Sequence, residues 1–425
     1  MPEKYFKNVQ DNYERQINPC NPAMKMKLSE ETNLSLEVIL LLAFGLIMVI
    51  IGAVLLTVAA GALTYYVEGV YGLLLVMFGL QLQTTGKIPI GFVKRSWSVL
   101  ILGIIITVIG FCTCFVPGIL GNIPKLLVMV IFGVGSILLI VQFFFAQERY
   151  WLGKTHANRL IGQLTLNCAA VCILEILIAG LIAVDIYLPG IYSTNLLAVC
   201  ALLLGIALFC LAFTLQNVYR TDPESDMSAH TPGISLDTVM GMQYGFYMLV
   251  LGCLLVPINL GLLPYALSAI HGTLVVLFGV QALVAGRMMT LVFRRNWIFL
   301  LVGMMFVAGG AFAIIVPDIV VEHLMIFIGV LIILGGFYLL YTLVRPKQKS
   351  EVPAKKPEGK DLQLMILLLV LALLTAILMI LFGASLLIEN LITGIDIAII
   401  LICFGLSQLV LQYVLSLAVR KNLIE

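Results

Sequence analysis

Twelve continuous apolar runs divide this chain, each about the length that crosses a bilayer core as a helix. They fall near 37–58, 66–85, 97–116, 124–146, 163–184, 194–217, 238–258, 264–285, 297–316, 323–343, 362–383 and 393–417. The runs are uniformly apolar rather than alternating. That selects helices over a β-barrel, because backbone polar groups in lipid need internal partners. Of 425 residues, 62% are hydrophobic and 11% are charged, against about 25% charged in an average soluble domain. So few charges cannot clothe a soluble core. A soluble enzyme, a disordered chain and a nucleic-acid binder are excluded. The expected fold is an all-α polytopic membrane protein with about 12 transmembrane helices arranged as six hairpins.

The basic residues set the orientation. With twelve spans, 23 of the 24 lysines and arginines fall on one side, and only Lys125 on the other. The excess of positive charge on cytoplasmic loops then places both termini in the cytoplasm of a multi-pass cell-membrane protein. Residues 1–34 form a polar tail with no apolar signal segment and no small-residue cleavage site, so no cleaved signal peptide is expected. Eight of the nine cysteines lie inside apolar runs, which predicts small buried side chains rather than a disulfide framework.

Shifted by 200 positions, the chain overlays itself without a gap. Residues 35–117 and 235–317 share 23 identities in 83 positions. Eight are glycines, whereas ten glycines in each window would match by chance about once. The identities include Gln81 with Gln281, Arg95 with Arg295 and Trp97 with Trp297. The chain therefore reads as two six-helix membrane repeats, 35–220 and 235–425, joined by a cytoplasmic linker at 221–234. The second carries a charged cytoplasmic loop at 346–361. An even number of spans gives both repeats the same orientation, so the expected relation is a pseudo-two-fold axis along the membrane normal. Within each repeat, small residues recur seven apart: Gly45 and Gly52, Gly103 and Gly110, Gly245 and Gly252, Gly303 and Gly310. Seven residues are about two helical turns, so each pair shares a face. Such faces let helix backbones approach closely. The expectation is six hairpins, each packed along its own glycine face.

The repeated unit is a G-x6-G helix, a Pro near the outer turn, a returning glycine-bearing helix and a basic inner loop with Trp. It reads GIIITVIGFCTCFVPGILGN and GMMFVAGGAFAIIVPDIVVE, with joins FVKRSWSVLILG and VFRRNWIFLLVG. In these segments the chain resembles the HdeD-like family of acid-resistance membrane proteins, whose members typically have six spans. The resemblance implies two such units fused over nearly all of 35–420 and a link to acid or envelope stress. It implies no catalytic residues. The third hairpin of each half departs from the pattern: Ile173 stands where a small residue is expected, and 381–396 has no Pro to match Pro189.

Glu175 is the sharpest polar feature, a carboxylate near the middle of an apolar run. At bilayer centre a carboxylate costs roughly 2.5–3.5 kcal/mol on insertion scales, so it should face protein or water. With Asn167 and Gln163 on the same span it forms a candidate proton or cation relay. The blander reading is hydrogen bonding between helices. Gln81 and Gln281 make a candidate symmetric polar pair, for which interhelical bonding is again the plainer account. Arg95, Trp97, Arg295 and Trp297 fit interfacial anchors at the lipid head groups. His271 and His323 lie near outer helix ends, where an imidazole could sense acid. No nucleotide-binding glycine loop, HExxH or GxSxG occurs, so no enzymatic activity, cofactor or metal is expected. The expected partners are the lipid bilayer and other membrane proteins or a second copy of the chain, with no nucleic acid. Three function classes stand: a non-enzymatic HdeD-like membrane protein, an assembly partner for another membrane complex, which the glycine faces fit equally well, and a secondary transporter or channel using Glu175. The last rests on the two-half, twelve-span layout that many transporters share.

The 346–361 loop adds a prediction. Its basic residues lie beside the inner leaflet and should each contribute about 1 kcal/mol of attraction to anionic lipid. A peptide spanning it should bind vesicles increasingly as anionic lipid content rises; binding indifferent to that content would refute the contact.

Overall fold

The computed structural model describes residues 34–85, 97–145, 158–188, 194–221, 236–285, 287–288, 291–292, 297–316, 321–344, 360–388 and 391–420. These residues contain twelve α-helices. The first half comprises α1 (Leu36–Ala59), α2 (Val67–Thr85), α3 (Trp97–Phe115), α4 (Ile123–Phe145), α5 (Asn158–Tyr187) and α6 (Thr194–Thr221). The second comprises α7 (Leu236–Asn259), α8 (Leu267–Ala285), α9 (Trp297–Ile315), α10 (Val321–Val344), α11 (Lys360–Leu387) and α12 (Gly394–Arg420). Ten are long and apolar enough to cross a membrane, and α2 and α9 contribute shorter apolar stretches, Val67–Gln83 and Leu300–Ile315. The chain is an all-α polytopic membrane protein. One small departure follows α8, where Arg287–Met288 and Leu291–Val292 pair as a minimal antiparallel ladder.

Local chemistry sets the helix ends. Ser35 caps α1 by accepting from the Val38 N–H at 3.3 Å. The chain leaves α1 through Gly61 (φ 74°) and leaves α7 through Gly261 (φ 72°). At each, the glycine N–H bonds back to Val58 or Ile258 and the next N–H bonds to Thr57 or Pro257. That is the Schellman arrangement, which needs a left-handed residue and so favours glycine.

Antiparallel seams of small residues hold the helices together. On α1 and α6, a Cβ at Gly45 would lie 3.1 Å from the Gly205 carbonyl oxygen, and one at Gly52 would lie 2.8 Å from that of Ala198. On α2 and α3, Gly72 meets Gly110 and Gly79 meets Gly103 at 2.8 and 2.7 Å. The same contacts recur 200 residues later: Gly245 with Gly405, Gly252 with Ala398, Gly272 with Gly310, Gly279 with Gly303. Seams also join α10 to α11, through Gly329 with Gly383 and Gly336 with Ala376.

This corrects the hairpin expectation. The G-x6-G faces are where they were read, but their partners are not the helices across the outer turns. α1 hardly touches α2, and α3 hardly touches α4. The close pairs are α2–α3, α4–α5, α8–α9 and α10–α11, with α1–α6 and α7–α12 joining each half's first helix to its last; α5–α6 and α11–α12 also pack side by side, so the third hairpin of each half stays closed. Spacing specifies which face of a helix is smooth, and the first two hairpins of each half splay so that their smooth faces meet elsewhere. A second correction concerns the cysteines. The eight described ones are free, but Cys210, Cys253 and Cys403 are exposed on the bundle surface.

The halves meet chiefly through α1, α2 and α3 against α7, α8 and α9. Two backbone bonds cross that interface reciprocally: Tyr66 N–H to the Ile315 carbonyl at 2.9 Å, and Ala266 N–H to the Phe115 carbonyl at 3.0 Å. The residues correspond under the 200-residue shift, as a two-fold relation requires. The apolar core centres here, on α1, α2 and α8.

The seams predict a sharp contrast between glycines. Gly252→Leu should lower stability in detergent by roughly 1–3 kcal/mol through overpacking. Gly180→Ala, where an added Cβ meets nothing within 4 Å, should not lower it. Thermal melting of the two variants checks this, and equal losses would refute the seam account.

Candidate intramembrane site

In the first half the α4–α5 pair departs from the seam rule. Where the second half places Gly336 and Ala376, this half has Ser136 and Ile176. Bulkier residues there preclude the same close approach, and a side-chain bond bridges the helices instead. Ser136, only 1% exposed, donates its hydroxyl to Glu175 Oε2. Glu175 is half-buried, and on the same helix Ile173 and Leu177 are exposed. The carboxyl is thus held at the rim of the bundle, between two peripheral helices. Its counterpart Thr375 instead bonds within its own helix to Leu371 at 2.8 Å and lies 3.2 Å from Ser407 on α12.

Asn167 takes a different direction. Its Nδ2 donates to Thr214 Oγ1 at 2.8 Å and to the Cys210 carbonyl at 3.3 Å, both on α6. Gln163 is exposed. The three residues proposed as one stripe are therefore divided: Glu175 is tied to α4 and Asn167 to α6. Gln81 is buried and Gln281 half-buried at matching positions of α2 and α8. Arg95 and Arg295 lie outside the described residues, as does the Trp97 side chain. Trp297 is half-buried where α9 begins. His271 is buried, with Nδ1 2.9 Å from the Leu267 carbonyl of its own helix, whereas His323 is exposed.

A polar cluster missed in the sequence sits at the interface of the halves. Gln83 Nε2 donates to Thr107 Oγ1 at 2.9 Å, and Tyr247 Oη donates to Gln83 Oε1 at 3.3 Å. Gln83 fits because a neighbouring position is glycine: a Cβ on Gly103 would lie 2.6 Å from Gln83 Cγ. Tyr247 also packs edge-on against Phe111, with centroids 4.8 Å apart. The corresponding residues 200 positions away are Leu283, Val307 and Ile47. Departure from the repeat was the available signal, and it also marks Ser136.

The first half also carries an ion pair, at the end where α4 begins and α5 ends. Lys125 Nζ lies 2.7 Å from Asp185 Oδ2, with the side chains 26% and 22% exposed, and 5.7 Å from the centroid of the Tyr71 ring. The lysine is thus matched to an acid on the next helix and set over an aromatic face. Its counterparts Met325, Ser385 and His271 cannot repeat that pair. Tyr71 also lines an apolar cleft with Met48, Leu55, Tyr65, Ile178 and Leu197.

No family model matches this chain, and no curated protein or solved structure is significantly similar to it.

The Ser136–Glu175 bond predicts a graded series. Glu175→Gln keeps an acceptor for Ser136 and should change stability by less than about 1 kcal/mol. Glu175→Ala leaves the buried hydroxyl without it and should cost about 1–3 kcal/mol. Chemical or thermal unfolding of the purified variants in detergent measures the order, and equal losses would refute a bond of this kind.

Proposed function

We propose that this chain is a non-enzymatic integral membrane protein of HdeD-like type, acting in envelope or acid-stress physiology in the cell membrane with both termini cytoplasmic. The observation that carries the reading is closure. Seams of small residues lock five helix pairs, and Glu175 and Asn167 are each held by the neighbouring helix. Such a bundle suits a protein that keeps its shape and works through its surface. The resemblance of its hairpins to the HdeD-like repeat supports the family and the stress link. The charge asymmetry supports the orientation. Its partners in this reading are bilayer lipid and other membrane proteins or a second copy. The apolar surfaces of α4, α5, α10 and α11 face outward for them.

A second reading has one observation in its favour. A carboxyl stands in the α4–α5 contact where the other half has only small or hydroxyl side chains, as a proton or cation relay in a transporter or channel would require. Its position argues against that role, since α4 and α5 lie outside the main interface of the halves. Transporters built from two repeats place their sites between them.

Proteoliposomes under an imposed pH gradient separate the readings. Wild type and Glu175→Gln should both leak protons at the rate of protein-free vesicles, and cells lacking the protein should survive acid shock less well. Flux present in wild type and lost in Glu175→Gln would replace the first reading with the second.

A further inference from the structure

Gln243 is 4% exposed, and neither its Nε2 nor its Oε1 has a hydrogen-bond partner among the described residues. Burying a carboxamide in that condition is costly, and in native proteins such groups are normally satisfied by protein or by bound molecules. Gln243 lies one helical turn from Tyr247 on α7, so the two share a face. Tyr247 reaches across the interface of the halves to Gln83, which in turn holds Thr107. Gln243 therefore shares a face of α7 with a member of the polar network that Gln83, Thr107 and Tyr247 form between α2, α3 and α7. Their counterparts, Ala43, Ile47, Leu283 and Val307, are all apolar.

The backbone follows the same asymmetry. At the apolar counterpart α1 packs against α9 more extensively than α7 does against α3. The junction also lies near one face of the bundle: Gln243 is in the second turn of α7, and Gln83 is in the last turn of α2. At 1.5 Å per residue, Gln243 is about 10 Å from the start of its helix.

We propose that the junction of α2, α3 and α7 is a hydrated binding site for a small uncharged molecule that both donates and accepts hydrogen bonds, such as a simple amide, entering from the face on which α1 and α7 begin. The carboxamides of Gln243 and Gln83 offer donors and acceptors together, and the hydroxyls of Tyr247 and Thr107 complete the set. All four side chains are uncharged, which favours a neutral solute over an ion. The site is separate from Glu175 and does not depend on a role in acid stress.

Cysteine accessibility tests it, with the repeat as internal control. Gln243→Cys and Ala43→Cys are labelled in membrane vesicles by a hydrophilic, membrane-impermeant thiol reagent, read at each residue by peptide mass spectrometry. The expected result is labelling at position 243 from the face on which α1 begins, slowed several-fold by molar acetamide, with position 43 unreactive. Equal inertness of the two positions would overturn the site. Labelling at 243 that acetamide leaves unchanged would overturn solute binding and restrict the junction to water. Gln243→Leu is the second arm: a lower melting temperature than wild type is expected where the carboxamide is hydrated, and a higher one, as for a dry unpartnered group, would overturn the proposal.

Discussion

Lipid removes the usual reason for helices to associate. Apolar side chains gain nothing by leaving acyl chains for one another, and each helix already satisfies its own backbone. What remains is close packing, and close packing needs surfaces without protrusions. In this protein the requirement is met by small residues two turns apart on each of two antiparallel helices, so that a peptide oxygen of one rests where a Cβ of the other would be. Five seams of this kind, with the Ser136–Glu175 bond in place of the sixth, fix the partners of all twelve helices. The splay of the first two hairpins in each half and the interface of the halves through α1–α3 and α7–α9 follow from those pairings.

The two halves share the seams and differ in what lies beside them. Polar groups of the first half, Ser136 with Glu175 and Lys125 with Asp185, have no matching pairs in the second. At the interface Gln83 and Thr107 of the first half meet Tyr247 of the second, while the symmetry-related place is apolar. A scaffold held by glycine contacts tolerates such divergence, because a seam depends on two positions per helix and leaves the other faces free to change. Chemistry specific to this protein therefore belongs at positions where the repeat is broken.

Individual residues show how far the sequence could be read. Glu175 stood out because any carboxylate amid apolar residues is conspicuous. Ser136 did not, since a serine inside a membrane helix is unremarkable until its partner is known. Asn167 was grouped with Glu175 by helical spacing, yet eight residues carry a helix far enough round that one side chain turns to α4 and the other to α6. Gln83 was passed over in favour of Gln81 because only Gln81 is repeated at 281; the unrepeated glutamine is the one built into the network.

The amino-acid order alone determined the number of helices, their class and the 200-residue repeat. It also determined which face of each helix is smooth, because length, hydropathy and a 3.6-residue period are local properties. The tertiary structure decided which smooth face meets which. That choice brings Gly45 to Gly205 rather than to a helix across its own turn, and it sets Gln83 beside Tyr247. Contacts between residues 160 or more positions apart depend on how all the helices fill space together, and no local period encodes that.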